Sequence, residues 1–284
     1  MRRFLERFAR RSGERGVFDA VSSLGPPPGY FEGGNVDVDL HHFPVKGKAV
    51  SETESEEKHR LDTAFKTLQS RYDTTIVVDD SGIMEGRRWD QAKAALCDLA
   101  GRANEYDSDG IEVCFLNSLV VGRGIRTAAE AKALFSQVNR PRGGTPIGAK
   151  LDDILSEYVR TLCPQVTPLA QRPSKYLNVL IITDGEASDP KDVTKVIVRT
   201  SQQLEKLGCP LRQLGIQFVQ VGDCSKATAY LDTLDNDLAK DGAVRDIVDT
   251  IPYRRTGGSI SGDMLIKALT GGFNKTEDER QVVD

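Results

Sequence analysis

Residues Tyr72 to Trp89 read YDTTIVVDDSGIMEGRRW, and the change of pattern inside this stretch decides the fold. Thr74-Thr75-Ile76-Val77-Val78 is β-branched and lacks polar alternation, which is the composition of a strand covered on both faces, as in a parallel sheet. After Ser81-Gly82 the period changes. Trp89, Ala92, Leu96 and Leu99 fall at three- and four-residue steps, on one face of a helix expected to start near Met84. Asp79, Asp80 and Ser81 therefore stand where a strand hands over to a helix, the edge at which open α/β sheets bind ligands.

Working outward, the same alternation of apolar strands and periodic helices continues. Leu61, Phe65 and Leu68 predict a short amphipathic helix leading into the central strand. Ile111 to Leu116 reads as a second strand and Leu119 to Val121 as a short third one. Gly122-Arg-Gly124-Ile-Arg-Thr127 then opens a helix over Thr127 to Val138. The two glycines imitate a dinucleotide fingerprint, but the third glycine and an acidic ribose ligand are missing, so they read as punctuation. No G-K-[ST] occurs, which excludes a Walker-type phosphate loop.

Arg140 to Lys150, RPRGGTPIGAK, precedes a helix carrying Leu151, Ile154, Leu155 and Tyr158. Taken alone, Thr145 reads as its N-cap and Pro146 as its first residue. Leu177 to Glu186, LNVLIITDGE, is another apolar strand ending in an Asp-Gly pair, and Asp189-Pro190 reads as the cap of a helix over Lys191 to Leu207. Gly215 to Val221 and Asp246 to Ile251 read as further strands, and Ser259 to Leu269 as the closing helix.

Because one pattern runs unbroken from about Ser70 to Thr270 in a chain of 284 residues, a single domain over residues 59–272 is expected. The flanks differ. Residues 1–58 combine Pro26-Pro27-Pro28-Gly29, Gly33-Gly34 and the acidic tract SETESEEK, the composition of a disordered tail and linker, and residues 273–284 form a C-terminal tail. Residues 1–16 carry six arginines against two glutamates, with Phe4, Leu5 and Phe8 at helical spacing. Membrane-surface contact or a transit segment competes here with a solvated terminus, and the last is favoured because three apolar residues bury little.

Charged residues make up 28% of the chain and the net charge is −4, so no global basic field draws it to nucleic acid. No apolar run approaches the ~20 residues of a membrane span and no secretory apolar segment follows the N-terminus, so a soluble cytoplasmic protein is expected. The Asn274-Lys275-Thr276 sequon is then a coincidence. The five cysteines are widely spaced without a C-x-x-C pair and read as reduced, buried thiols. All three histidines (His41, His42, His59) lie ahead of Arg60. The rest of the chain therefore offers no imidazole as base, nucleophile partner or zinc ligand, and hydrolysis would have to use carboxylates alone.

Taken together, the order strand-DDSG-helix, GGTP-helix, strand-TDGE resembles the von Willebrand factor type A (vWA) domain, whose metal-ion-dependent adhesion site draws on D-x-S-x-S, a threonine and an aspartate. The resemblance covers about Asp73 to Thr270, and small stand-alone intracellular fungal-type members look similar. It implies a doubly wound, mostly parallel α/β sheet flanked by helices. Its site would lie above the carboxyl ends of the strands, with Asp79, Ser81, Thr145 and Asp184 at the metal-contacting positions and no catalytic residue. It implies a non-enzymatic interaction module whose partner protein presents a carboxylate to the cation. Oxygen donors of this kind suit Mg²⁺ or Mn²⁺. One position departs from the pattern: the second serine is Ile83. Either a water replaces the lost hydroxyl in a weakened site, or the site is degenerate and metal binding is weak or absent. An Mg²⁺- or Mn²⁺-dependent hydrolase acting on phosphate esters, with Asp79 and Asp184 as ligands, is the alternative function.

Overall fold

The structure is a computed structural model that describes residues 54–103, 110–164, 173, 175–253 and 258–271. The expectations for residues 1–53 and for the tail 273–284 lie outside the described residues, as do His41 and His42.

The elements run α1 (Glu54–Arg71), β1 (Tyr72–Val78), a 3₁₀ turn (Gly82–Met84), α2 (Arg87–Ala103), β2 (Ile111–Phe115), β3 (Val121–Ile125) and α3 (Ala128–Ser136). They continue with α4 (Ile147–Leu162), β4 (Tyr176–Thr183), α5 (Pro190–Lys206), β5 (Leu214–Gln220), α6 (Ser225–Asn236), β6 (Val248–Ile251) and α7 (Gly262–Gly271). The six strands form one sheet in the order β3-β2-β1-β4-β5-β6, with β1, β2, β4, β5 and β6 parallel and β3 antiparallel at the edge. This is the doubly wound α/β architecture expected from the sequence. Strand order reverses between β1 and β4, so the crevice at their carboxyl ends is the topological switch point where such sheets take ligands.

Two cores, one on each face, explain why the central strands carry no polar alternation. Ile76, Val78, Leu180, Ile182 and Val219 face α1, α2, α3 and α7, whereas Val77, Val179, Ile181, Ile216 and Phe218 face α4, α5 and α6. Full burial of an aliphatic or aromatic side chain contributes about 1.5–3 kcal/mol, so these alternating rows hold the sheet between its helix layers. Trp89 on α2, Phe115 on β2 and Phe135 on α3 pack with centroids 4.8–5.8 Å apart and close one flank.

Several local expectations change in the tertiary structure. Gly122 to Ile125 lies inside β3, not at a helix start; α3 begins at Ala128, where Thr127 and Glu130 form a reciprocal capping box. α2 begins at Arg87 after the 3₁₀ turn, slightly later than the apolar period suggested. α6 is not among the elements expected from the sequence. The cysteines are all free but not all buried: Cys114 and Cys209 are, Cys97 and Cys163 are half-buried, and Cys224 is exposed at the start of α6. Among the described residues no helix is long and apolar enough to cross a membrane.

Candidate metal centre

β1 delivers Asp79 to the switch point, and its backbone continues the ladder, donating from Asp79 N to Ile182 O at 2.8 Å. One Asp79 carboxylate oxygen accepts from Ser81 N at 2.8 Å, and the other from the Thr183 hydroxyl at 2.7 Å. The carboxylate is fully buried, and burial pushes its pKa up; the Ser81 amide, the Thr183 hydroxyl and the neighbouring Ser81 hydroxyl act against that shift. β4 ends one residue before Asp184, itself buried. Burial and then the negative charge of Asp79 push Asp184 up to about 6, with Arg88 opposing.

Two oxygens here are left without partners. Ser81 Oγ lies beside the Asp79 carboxylate, but no hydrogen bond of acceptable geometry reaches it, and Asp184 Oδ1 has none either. Both atoms are buried, and an unsatisfied buried polar atom costs about 1–3 kcal/mol, more if charged. The other Asp184 oxygen meets a cation from the chain itself: Arg88 Nη1 lies 3.0 Å from Asp184 Oδ2 and donates to Ile83 O at 3.0 Å.

Asp80, next to Asp79, points elsewhere. Its carboxylate accepts from Asn117 N at 2.7 Å, Asn117 Nδ2 at 3.1 Å and Ser118 N at 2.9 Å, and its carbonyl accepts from Arg142 N at 2.6 Å. It therefore fastens the loop after β2 and the glycine loop before α4 to the end of β1. Asn117 Nδ2 also donates to Gly144 O at 2.9 Å. Gly143 has φ +93°, and a Cβ there would fall 2.7 Å from Asn117 Oδ1, so only glycine lets this loop approach.

Thr145 follows in the same loop and is buried. The loop is tied to the β1 end through Gly82 N to Gly143 O at 3.2 Å and to the β4 end through Ser188 N to Thr145 O at 2.9 Å. Thr145 is not the helix cap: Pro146 holds that position without a capping side chain. The cap comes from Asp189, which accepts from Gly148 N at 3.1 Å and Ala149 N at 2.9 Å of α4 and makes no cap bond to its own helix α5. Ile83 is 62% exposed on the rim, and Leu119, after the loop that Asp80 holds, is 97% exposed.

The structure thus brings Asp79, Ser81 and Asp184 to one crevice and fastens the Thr145 loop to both of its sides. Among the described residues no three His, Cys, Asp or Glu side chains gather as a metal cluster, and the donor set here is carboxylate plus hydroxyl. Two partnerless buried oxygens beside a buried carboxylate fit a hard divalent cation of the Mg²⁺ or Mn²⁺ type. Sequence reasoning missed Arg88, Thr183 and the structural role of Asp80. An arginine in the first turn of α2, where the helix dipole disfavours a cation, was the available signal for Arg88.

No protein-family model matches this sequence, and no curated protein matches it. Among solved structures the chain is similar to a manganese-loaded TRAP protein of Plasmodium vivax at 14% identity, over 69% of this chain and 74% of that one, with a TM-score of 0.38.

Proposed function

We propose that this chain is a non-enzymatic protein-interaction module of the vWA kind, which meets its partner at the β1/β4 crevice through a divalent cation or through the same surface without one. The observation that supports it is the pair of partnerless buried oxygens, Ser81 Oγ and Asp184 Oδ1, beside Asp79 at the switch point. Asp79, Ser81, Thr145 and Asp184 would hold Mg²⁺ or Mn²⁺. The ion would supply a Lewis-acidic position for a partner's carboxylate. The chain's own residues bind and orient: Asp80 and Asn117 fix the loops, and exposed Ile83 and Leu119 give the rim an apolar contact.

The test is calorimetric titration of wild type, Ile83→Ser and Asp184→Ala with Mn²⁺ and Mg²⁺, beside partner capture with and without chelator. Ile83→Ser adds a neutral oxygen and is expected to tighten binding by roughly tenfold, about one ligand bond net of displaced water. Asp184→Ala is expected to abolish it. Binding by Asp184→Ala equal to wild type would place the cation elsewhere and sink the reading. Turnover of a phosphate ester by wild type with Mn²⁺ would replace it with the hydrolase.

A further inference from the structure

We propose that Arg88 is a built-in counter-cation of the crevice, so that a divalent ion binds by displacing its guanidinium from Asp184. This rests on the reading of Asp79, Ser81 and Asp184 as a cation site, and adds to it what holds that site in the absence of metal.

Asp79 and Asp184 are two buried carboxylates at the ends of neighbouring strands, an arrangement that a positive charge beside them stabilises. Arg88 provides it. Its Nη1 lies 3.0 Å from Asp184 Oδ2 and 3.0 Å from the Ile83 carbonyl, so the head group is held by a charge and by a fixed backbone acceptor. A third feature seats the side chain. Gly222, just past β5, has φ +88°, and a Cβ on it would stand 2.7 Å from Arg88 Nε. The left-handed φ itself favours glycine here, and its missing side chain leaves room for the guanidinium against the loop. Arg88 also sits in the first turn of α2, where the helix dipole works against a cation, so its placement is explained by Asp184 and not by the helix.

The ion pair is incomplete. Arg88 satisfies Asp184 Oδ2 and leaves Asp184 Oδ1 and Ser81 Oγ without partners. Those are the atoms a compact ion would engage and a planar guanidinium, already bonded to Ile83 O, does not. A monovalent ion carries the same charge as the group it would displace and gains only the two idle oxygens by the exchange. A divalent ion gains a charge and the two idle oxygens. Arg88 therefore selects for divalent cations and lowers their apparent affinity by the fraction of time it holds the crevice.

The experiment measures Mn²⁺ binding by the loss of the free-ion paramagnetic resonance signal, with the melting temperature of each variant recorded with and without Mn²⁺. It uses the full chain as wild type, Arg88→Ala, Arg88→Gln and Arg88→Ala/Asp184→Ala. Both single variants are expected to bind Mn²⁺ roughly tenfold more tightly or better, the gain for a site freed from about 90% occupancy by its own arginine. They are expected to melt below wild type without metal and to recover more than wild type on adding Mn²⁺; the double variant should lose both effects. Arg88→Gln keeps the bulk of the side chain and carries the test if Arg88→Ala does not fold. If both single variants bind Mn²⁺ as wild type does, while the double variant does not bind, the role of Arg88 is overturned and the cation site stands. If no variant binds, or the double variant binds as Arg88→Ala does, the cation site and the role of Arg88 fall together.

Discussion

Asp80 accepts three hydrogen bonds from Asn117 and Ser118 and none of its donors belongs to the crevice, although its neighbour Asp79 is committed there. Successive residues leaving a strand project to opposite sides, which is how adjacent aspartates divide into one turned toward β4 and one that anchors loops. Replacing Asp80 with alanine strips the acceptor from two part-buried backbone amides, of Asn117 and Ser118, at once. Asp80→Ala is therefore expected to destabilise the protein by about 2–4 kcal/mol in urea denaturation, and to weaken Mn²⁺ binding only through loosened loops. A change below about 0.5 kcal/mol would mean that the β2 loop holds its place without this carboxylate. The resemblance of the DDSG motif already singled out Asp79, but the loop-holding part of Asp80 was not legible, because it depends on contacts with Asn117 and Ser118 that no neighbouring residues encode, just as the β1–β4 register sets Asp79 beside Thr183.

Among the elements, α4 shows how a cap is recruited from far along the chain. Thr145-Pro146 carries the local sequence signal for a helix start, yet Asp189, at the start of α5, supplies the carboxylate that meets the α4 amides. Cross-helix capping of this kind has no local pattern. It follows from α4 and α5 packing side by side with their N-termini at the same sheet edge.

At the opposite edge, Glu112 on β2 is half-buried near Arg123 of β3 and Asp73 of β1. Burial pushes its carboxyl up to about 7, with Arg123 opposing and Asp73 adding to the rise. The folded protein then holds this proton more tightly than the unfolded chain does, whose value is the ordinary 4.5. The resulting stabilisation is full below about pH 4.5 and is lost as pH rises to and through about 7. Glu112→Gln is expected to melt a few °C above wild type at pH 8 and to lose that advantage by pH 5. Parallel melting curves across that range would show that Glu112 does not titrate there.

For the whole molecule, α1 is part of the globular unit. Leu61, Phe65 and Leu68 are buried in the core under β1, and Arg102 of α2 bridges Asp62 of α1 and Asp263 of α7, joining three helices of that layer. Phe65 is fully buried, and Phe65→Ala is expected to cost about 3–5 kcal/mol, read as a shift in the urea midpoint. A loss under about 1 kcal/mol would mean that α1 rests on the domain without supporting it. The crevice lies at the carboxyl ends of the strands, away from α1's contact with the start of β1, so Mn²⁺ binding by Phe65→Ala is expected to be unchanged while the protein remains folded.

What the sequence by itself determined is the alternation of buried strands and amphipathic helices, and hence the doubly wound sheet, because β-branched runs such as Thr74 to Val78 and helical periods such as Trp89 to Leu99 are local properties of the chain. It also placed Asp79, Ser81 and Asp184 at strand ends, since the breaks in pattern mark those ends. Only the tertiary structure decided what these residues contact. The antiparallel edge strand β3, the Asp189 cap on α4, the anchoring role of Asp80 and above all the pairing of Arg88 with Asp184 join positions far apart in the chain. Such contacts depend on sheet order and register, which no run of neighbouring residues encodes.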